Sequence, residues 1–96
     1  MIIERKITIK NKQGLHARPA ALFVQMANKF TSNITVQKGK QQVNGKSIMG
    51  IMMLAAGKGS IIIIKADGED AEKALVELED LLSGKIDELG TPKPQI

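Results

Sequence analysis

Four consecutive isoleucines, Ile61-Ile62-Ile63-Ile64, constrain this chain more than any other feature. β-Branched side chains suit a pleated surface, and an uncharged run of four belongs inside a sheet. The run is therefore read as a central strand, buried largely on both faces. A chain of 96 residues has room for one domain and one thin core around such a strand. The domain is expected to span residues 1–88, with 89–96, which include Pro92 and Pro94, as a mobile tail.

The periodicity on either side of the isoleucines sets the layers. Ile3, Ile7 and Ile9 alternate with Glu4, Lys6 and Thr8, so residues 2–9 read as a first strand. Ala20, Phe23, Val24, Ala27 and Phe30 recur at three and four residues, which predicts a helix from Ala17 to Phe30. Pro19 is tolerated there only in the first turn, which puts His16 at or next to the N-cap. Ile34-Thr35-Val36 begins a second strand, and Lys38-Gly39-Lys40 turns it back through Gln41-Gln42-Val43. Ser47 can cap a short helix to Leu54, with Ile51, Leu54 and Ala55 inward and Ile48, Met49 and Met52 toward another side. A third helix carries Ala71, Ala74, Leu75, Leu78, Leu81 and Leu82 on one stripe, with Glu69, Asp70 and Glu72 suiting its positive end and Gly84 as its stop. Helices interleaved with antiparallel strands in this order predict an α+β fold, one sheet covered on one face.

Charge narrows the partners. Residues 1–66 hold eleven Lys or Arg against the single acid Glu4, a net +10, and the remaining thirty carry a net −6. A basic body attracts nucleic acid, a phosphorylated ligand or the acidic face of another protein. Nucleic acid is the weaker choice, because two Phe and no Tyr or Trp leave nothing for bases to stack on. The absence of cysteine excludes disulfides and thiolate chemistry, and one histidine excludes a histidine-cluster metal site. No stretch approaches a membrane span and no apolar leader opens the chain, so a cytoplasmic domain is expected. Gly45-Lys46-Ser47 does not make a phosphate-binding loop, since five residues rather than four separate Gly39 from Gly45.

His16 is the residue with chemistry. It follows Gly14, which lets backbone approach closely, and it precedes a helix whose free N–H groups favour an anion. Arg18 could reach the same anion with its planar fork. A helix N-terminus disfavours imidazolium, leaving a nucleophilic nitrogen beside a phosphate site, which is what reversible phosphorylation requires. The dull alternative is a basic binding module in which His16 merely caps a helix. Ser47 would also hold a phosphate at a helix start, and its hydroxyl is equally well explained as an N-cap. A two-turn helix cannot bury every side, so Ile48, Met49 and Met52 should leave an adaptable apolar patch exposed.

Gly14-Leu15-His16-Ala17-Arg18-Pro19-Ala20 is similar to the active-site motif of the HPr family, the histidine-containing phosphocarriers of the bacterial sugar phosphotransferase system. Lys46-Ser47-Ile48-Met49-Gly50-Ile51-Met52 resembles the regulatory serine segment of its Gram-positive-type members, and the likeness covers about residues 2–84. The resemblance implies an open-faced β-sandwich, a four-stranded antiparallel sheet under three helices. It implies that His16 takes a phosphoryl group on Nδ1 from Enzyme I, charged by phosphoenolpyruvate, and passes it to the A domain of a sugar-specific Enzyme II. Arg18 and the helix-start N–H groups, Ala17's among them, would hold the phosphate. Ile48, Met49 and Met52 would form the docking patch. Ser47 would be phosphorylated by HPr kinase/phosphorylase, weakening transfer and making the protein corepressor for a catabolite-control repressor. The resemblance further implies a monomeric carrier rather than an enzyme, with no cofactor, no metal, no direct nucleic-acid contact and no membrane insertion. One close relative in the family has lost the histidine and only regulates; this chain retains His16. Met53 departs from the family, standing where a small polar residue is common.

Overall fold

The computed structural model describes residues 2–83. The expected stop at Gly84, the domain end at residue 88 and the tail at 89–96 lie outside the described residues. The order is β1 (Ile2–Thr8), α1 (Ala17–Ala27), β2 (Asn33–Lys38), β3 (Gln41–Asn44), α2 (Ile48–Leu54), β4 (Ile61–Asp67) and α3 (Ala71–Ser83). The strands form one antiparallel sheet in the order β1-β4-β2-β3, so the isoleucine run is central, as its composition requires. Gly39, at φ +59°, opens the two-residue turn that pairs Lys38 with Gln41.

The three helices cover one face of the sheet. Ile7, Ile62, Ile64, Ala66, Ile34 and Val36 point into the core and meet Phe23 of α1, Ile51 and Leu54 of α2, and Leu75, Leu78 and Leu82 of α3. The expected burial of the isoleucine run on both faces is not found. Ile62 and Ile64 are buried, whereas Ile61 is 52% exposed and Ile63 is half-buried on the open face beside Lys6 and Thr8. The reason is the layer count: three helices suffice for one face only, so β4 obeys period two like any half-covered strand.

Three smaller corrections share a cause, which is that burial continues past the end of regular structure. The first strand ends at Thr8, yet Ile9 is buried and its N–H and C=O pair with Ser60 O and Gly59 N, both at 2.8 Å. Helix α1 ends at Ala27, and Phe30 reaches the core from the following turn. Ala55, expected inward, is exposed: it closes α2 in the left-handed region at φ 53°, and Ala56 takes the buried place.

Asp70 stands directly ahead of α3, where a carboxylate complements the dipole, and it also braces a loop. Its carboxylate lies ahead of α3 and accepts the N–H groups of Thr31 (2.9 Å) and Ser32 (3.0 Å) and the hydroxyls of both. The Ser32 hydroxyl first, then the Thr31 N–H, hold this carboxyl down from 3.8 to about 2. A folded-state pKa below the unfolded one adds stability that is complete above the unfolded value and lost as pH falls through the folded one. Asp70→Asn should therefore flatten the fall in unfolding midpoint between about pH 4 and pH 2, measured by urea titration at each pH. An unchanged pH profile would show that the brace carries no differential protonation.

Candidate functional site

The site begins with the turn that precedes α1. Asn11 is buried and closes the turn twice: its C=O accepts from Gly14 N (3.1 Å), and its Nδ2 donates to Gly14 O (2.9 Å). Gly14 takes φ +65° and presses against the Ala56-Gly57 backbone, where a Cβ would stand 2.6 Å from Gly57 Cα. Leu15, fully buried, donates its N–H to Ala56 O at 2.7 Å. The chain is thus pinned immediately ahead of His16.

His16 is the N-cap of α1, extended at φ −122° and ψ 159°, with its ring half-buried and making no side-chain capping bond. The imidazole therefore stands at the helix start without being spent there, which removes the support for a purely capping role. Ala17 follows at φ 49°, a left-handed value that costs an alanine about 1–2 kcal/mol and that turns the chain sharply into the helix. The Ala17 and Arg18 N–H groups have no carbonyl four residues back within the helix. Pro19 sits third, buried and with no N–H to satisfy, as its ring requires. No acidic residue occupies the first turn of α1, so nothing on it competes with an incoming anion. Arg18 is exposed at the second helical position, and Lys10, Lys12 and Lys58 are exposed on the two loops that the Ile9–Gly59 and Leu15–Ala56 bonds hold together. An imidazole, helix-start N–H groups and cations lie at one end of the molecule.

Ser47 caps α2 as read, its hydroxyl accepting from Gly50 N at 3.1 Å. Ser47→Ala should cost about 1 kcal/mol in chemical unfolding, and a null change would remove the cap from the account. The structure does not bring Ser47 to His16. Lys46 Nζ donates to Phe30 O (2.7 Å) and Asn28 Nδ2 to Lys46 O (3.3 Å), so the start of α2 lies at the end of α1. The far end of α2 meets the His16 turn through Ala56. The two helices run antiparallel, and the two residues sit about one α1 length apart, ~16 Å for eleven residues.

Between them lies the patch. Met49 is 70% exposed, Met52 46% and Ile48 38%, and Met53, the departure from the family's small polar residue, is 68% exposed beside them. Lys38 Nζ donates to Ala55 O (3.0 Å) and Gln41 Nε2 to Met53 O (3.4 Å), fixing the carbonyl end of this short helix. Both Phe are buried, so the surface offers no stacking platform for bases. Among the described residues no group of three metal-ligating side chains comes together, and no helix is long and apolar enough to cross a membrane.

The chain is similar to known proteins in sequence and fold. A family model for the PTS HPr component phosphorylation site matches residues 3–84. The HPr-like protein Crh of Halalkalibacterium halodurans is 51% identical over 77 residues, which are 80% of this chain and 92% of that protein. The phosphocarrier protein HPr of Neisseria meningitidis is 47% identical over 87 residues, 91% of this chain and 98% of its own length. The crystal structure of HPr from Bacillus anthracis superposes with a TM-score of 0.83 at 49% identity, covering 85% of this chain and 98% of that one. With its open-faced sandwich matched by that structure and its sequence by the family model over almost the whole described length, the chain belongs to the HPr family of phosphocarriers of the phosphotransferase system.

Proposed function

We propose that His16 is the phosphoryl acceptor: it receives the group on Nδ1 from phospho-Enzyme I, charged by phosphoenolpyruvate, and passes it to the A domain of a sugar-specific Enzyme II. The observation that carries this reading is an imidazole with no capping bond at a helix N-terminus, with exposed Arg18, Lys10, Lys12 and Lys58 on the adjoining segments. In the step, the ring nitrogen's lone pair forms a bond to phosphorus as the donor's bond to phosphorus breaks. The N–P bond is the one broken in the onward transfer, so the protein returns unchanged. Such transfers are catalysed by positioning and charge rather than by covalent help from the protein. Ala17 N–H, Arg18 N–H and the Arg18 guanidinium supply positive charge to the phosphoryl oxygens.

The carrier would work in the cytoplasm as a monomer, docking through Ile48, Met49 and Met52, with Lys10, Lys12 and Lys58 meeting acidic partner surfaces. Phosphorylation of Ser47 by HPr kinase/phosphorylase would place about two negative charges at one edge of that patch. With ~16 Å between the residues, such a phosphate would weaken transfer through the shared docking face, and the same charge would serve binding to a catabolite-control repressor. A regulator without transfer, which the likeness to Crh invites, has no use for an accessible histidine at a prepared anion site.

Incubation with phosphoenolpyruvate, Enzyme I and an A domain tests the relay. Arg18→Ala should slow transfer by about tenfold to a hundredfold, the worth of one charge-assisted contact. An unchanged rate would take Arg18 out of the site.

A further inference from the structure

Three of the methionines lie on one seven-residue helix, Met49, Met52 and Met53 of α2, at 70%, 46% and 68% exposure, whereas Met26 of α1 is half-buried against the core. Met49 and Met53 are four residues apart and Met52 three from Met49, so their thioethers share one side of the helix. None carries a shielding aromatic neighbour on α2, and both Phe lie inside the core. A thioether this open is a nucleophile toward peroxides, and its oxidation is a chemical change that cells reverse.

We propose that this methionine cluster is a reversible oxidation site that switches the docking patch off, a consequence that rests on the role given to α2 above. The sulfur lone pair takes one oxygen of hydrogen peroxide: an S–O bond forms, the O–O bond breaks, sulfur is oxidised by two electrons and the second oxygen leaves with both protons as water. The product is a polar, chiral sulfoxide where an adaptable apolar chain stood. Its oxygen must stay hydrated or find a donor, so a partner that covered the thioether now meets an acceptor with none. A dithiol-dependent methionine sulfoxide reductase reverses the change, the oxygen leaving as water and the dithiol becoming a disulfide. His16 itself is untouched, so the carrier keeps its acceptor while losing its grip on the donor.

The test treats the full-length protein with graded hydrogen peroxide and maps the added oxygen by peptide mass spectrometry. Met49 and Met53 should oxidise first, Met52 next and Met26 last. Oxidised protein should accept the phosphoryl group from Enzyme I about tenfold more slowly at limiting concentration, as for loss of one strong interface residue, with its circular dichroism unchanged. Reductase treatment should restore the rate. The variant carrying Met49→Leu, Met52→Leu and Met53→Leu, whatever its starting rate, should lose none of it to peroxide. Oxidation of Met26 as fast as the cluster, or an oxidised protein that transfers at the untreated rate, overturns the proposal. Untreated protein that accepts nothing from an active Enzyme I overturns the functional reading instead, and the oxidation order then decides the modification site alone.

Discussion

Gly14→Ala is expected to cost about 3 kcal/mol, the sum of a left-handed alanine and a forced backbone displacement. Gly14 stands at φ +65°, and an added Cβ would meet Ala56 O and lie 2.6 Å from Gly57 Cα. Both neighbours are backbone, and both belong to the loop that holds Leu15, so the strain cannot be relieved by a side chain swinging away. The midpoint of thermal unfolding should fall by at least about 10 °C for a domain of this size. Gly39→Ala is the matched comparison, since Gly39 has a similar φ of +59° and open space around its Cβ position. It should cost only the conformational part, about 1–2 kcal/mol. Equal losses in the two variants would mean that the close approach at Gly14 does not exist in solution. Phosphoryl acceptance should fall in the Gly14 variant as well, because the Leu15–Ala56 bond that sets His16 must shift.

His16→Ala should have the opposite profile: no phosphoryl acceptance at all, with stability within about 0.5 kcal/mol of the parent. The half-buried imidazole makes no capping bond, so no hydrogen bond at the helix start is lost with it. Had His16 been an N-cap by side chain, the same change would cost about 1 kcal/mol. Denaturant titration of the variant therefore separates the chemical role from the capping one. A stability loss that large, together with retained phosphorylation elsewhere on the chain, would support the capping role.

Most of the architecture was legible because local signals agreed with one another. Pro19 admitted only the first turn of a helix, which fixed His16 at its start, and Ser47 announced the cap that it makes. The open face of the sheet was not legible in Ile61 and Ile63, because an uninterrupted apolar run carries no record of which side is covered. The left-handed positions at Ala17 and Ala55 gave no sign either, since alanine is chosen there by its surroundings and has no preference of its own for that region. The second role of Asp70 was hidden for a related reason: its place before a helix suits the dipole, and the two N–H groups and two hydroxyls of Thr31 and Ser32 that it also accepts are remote in sequence. At the site, the motif located His16 and Arg18, while the brace from Asn11 and the ~16 Å between His16 and Ser47 follow from how α1 and α2 pack.

The central claim is that His16 carries the phosphoryl group, and phosphorus NMR tests it most directly. The protein is incubated with phosphoenolpyruvate and an Enzyme I of proven activity, with His16→Ala in parallel. An acid-labile phosphoramidate resonance in the parent, coupled to the Nδ1 side of the ring and absent from the variant, is the predicted result. A parent spectrum without that resonance, or a variant that still shows it, would contradict the account.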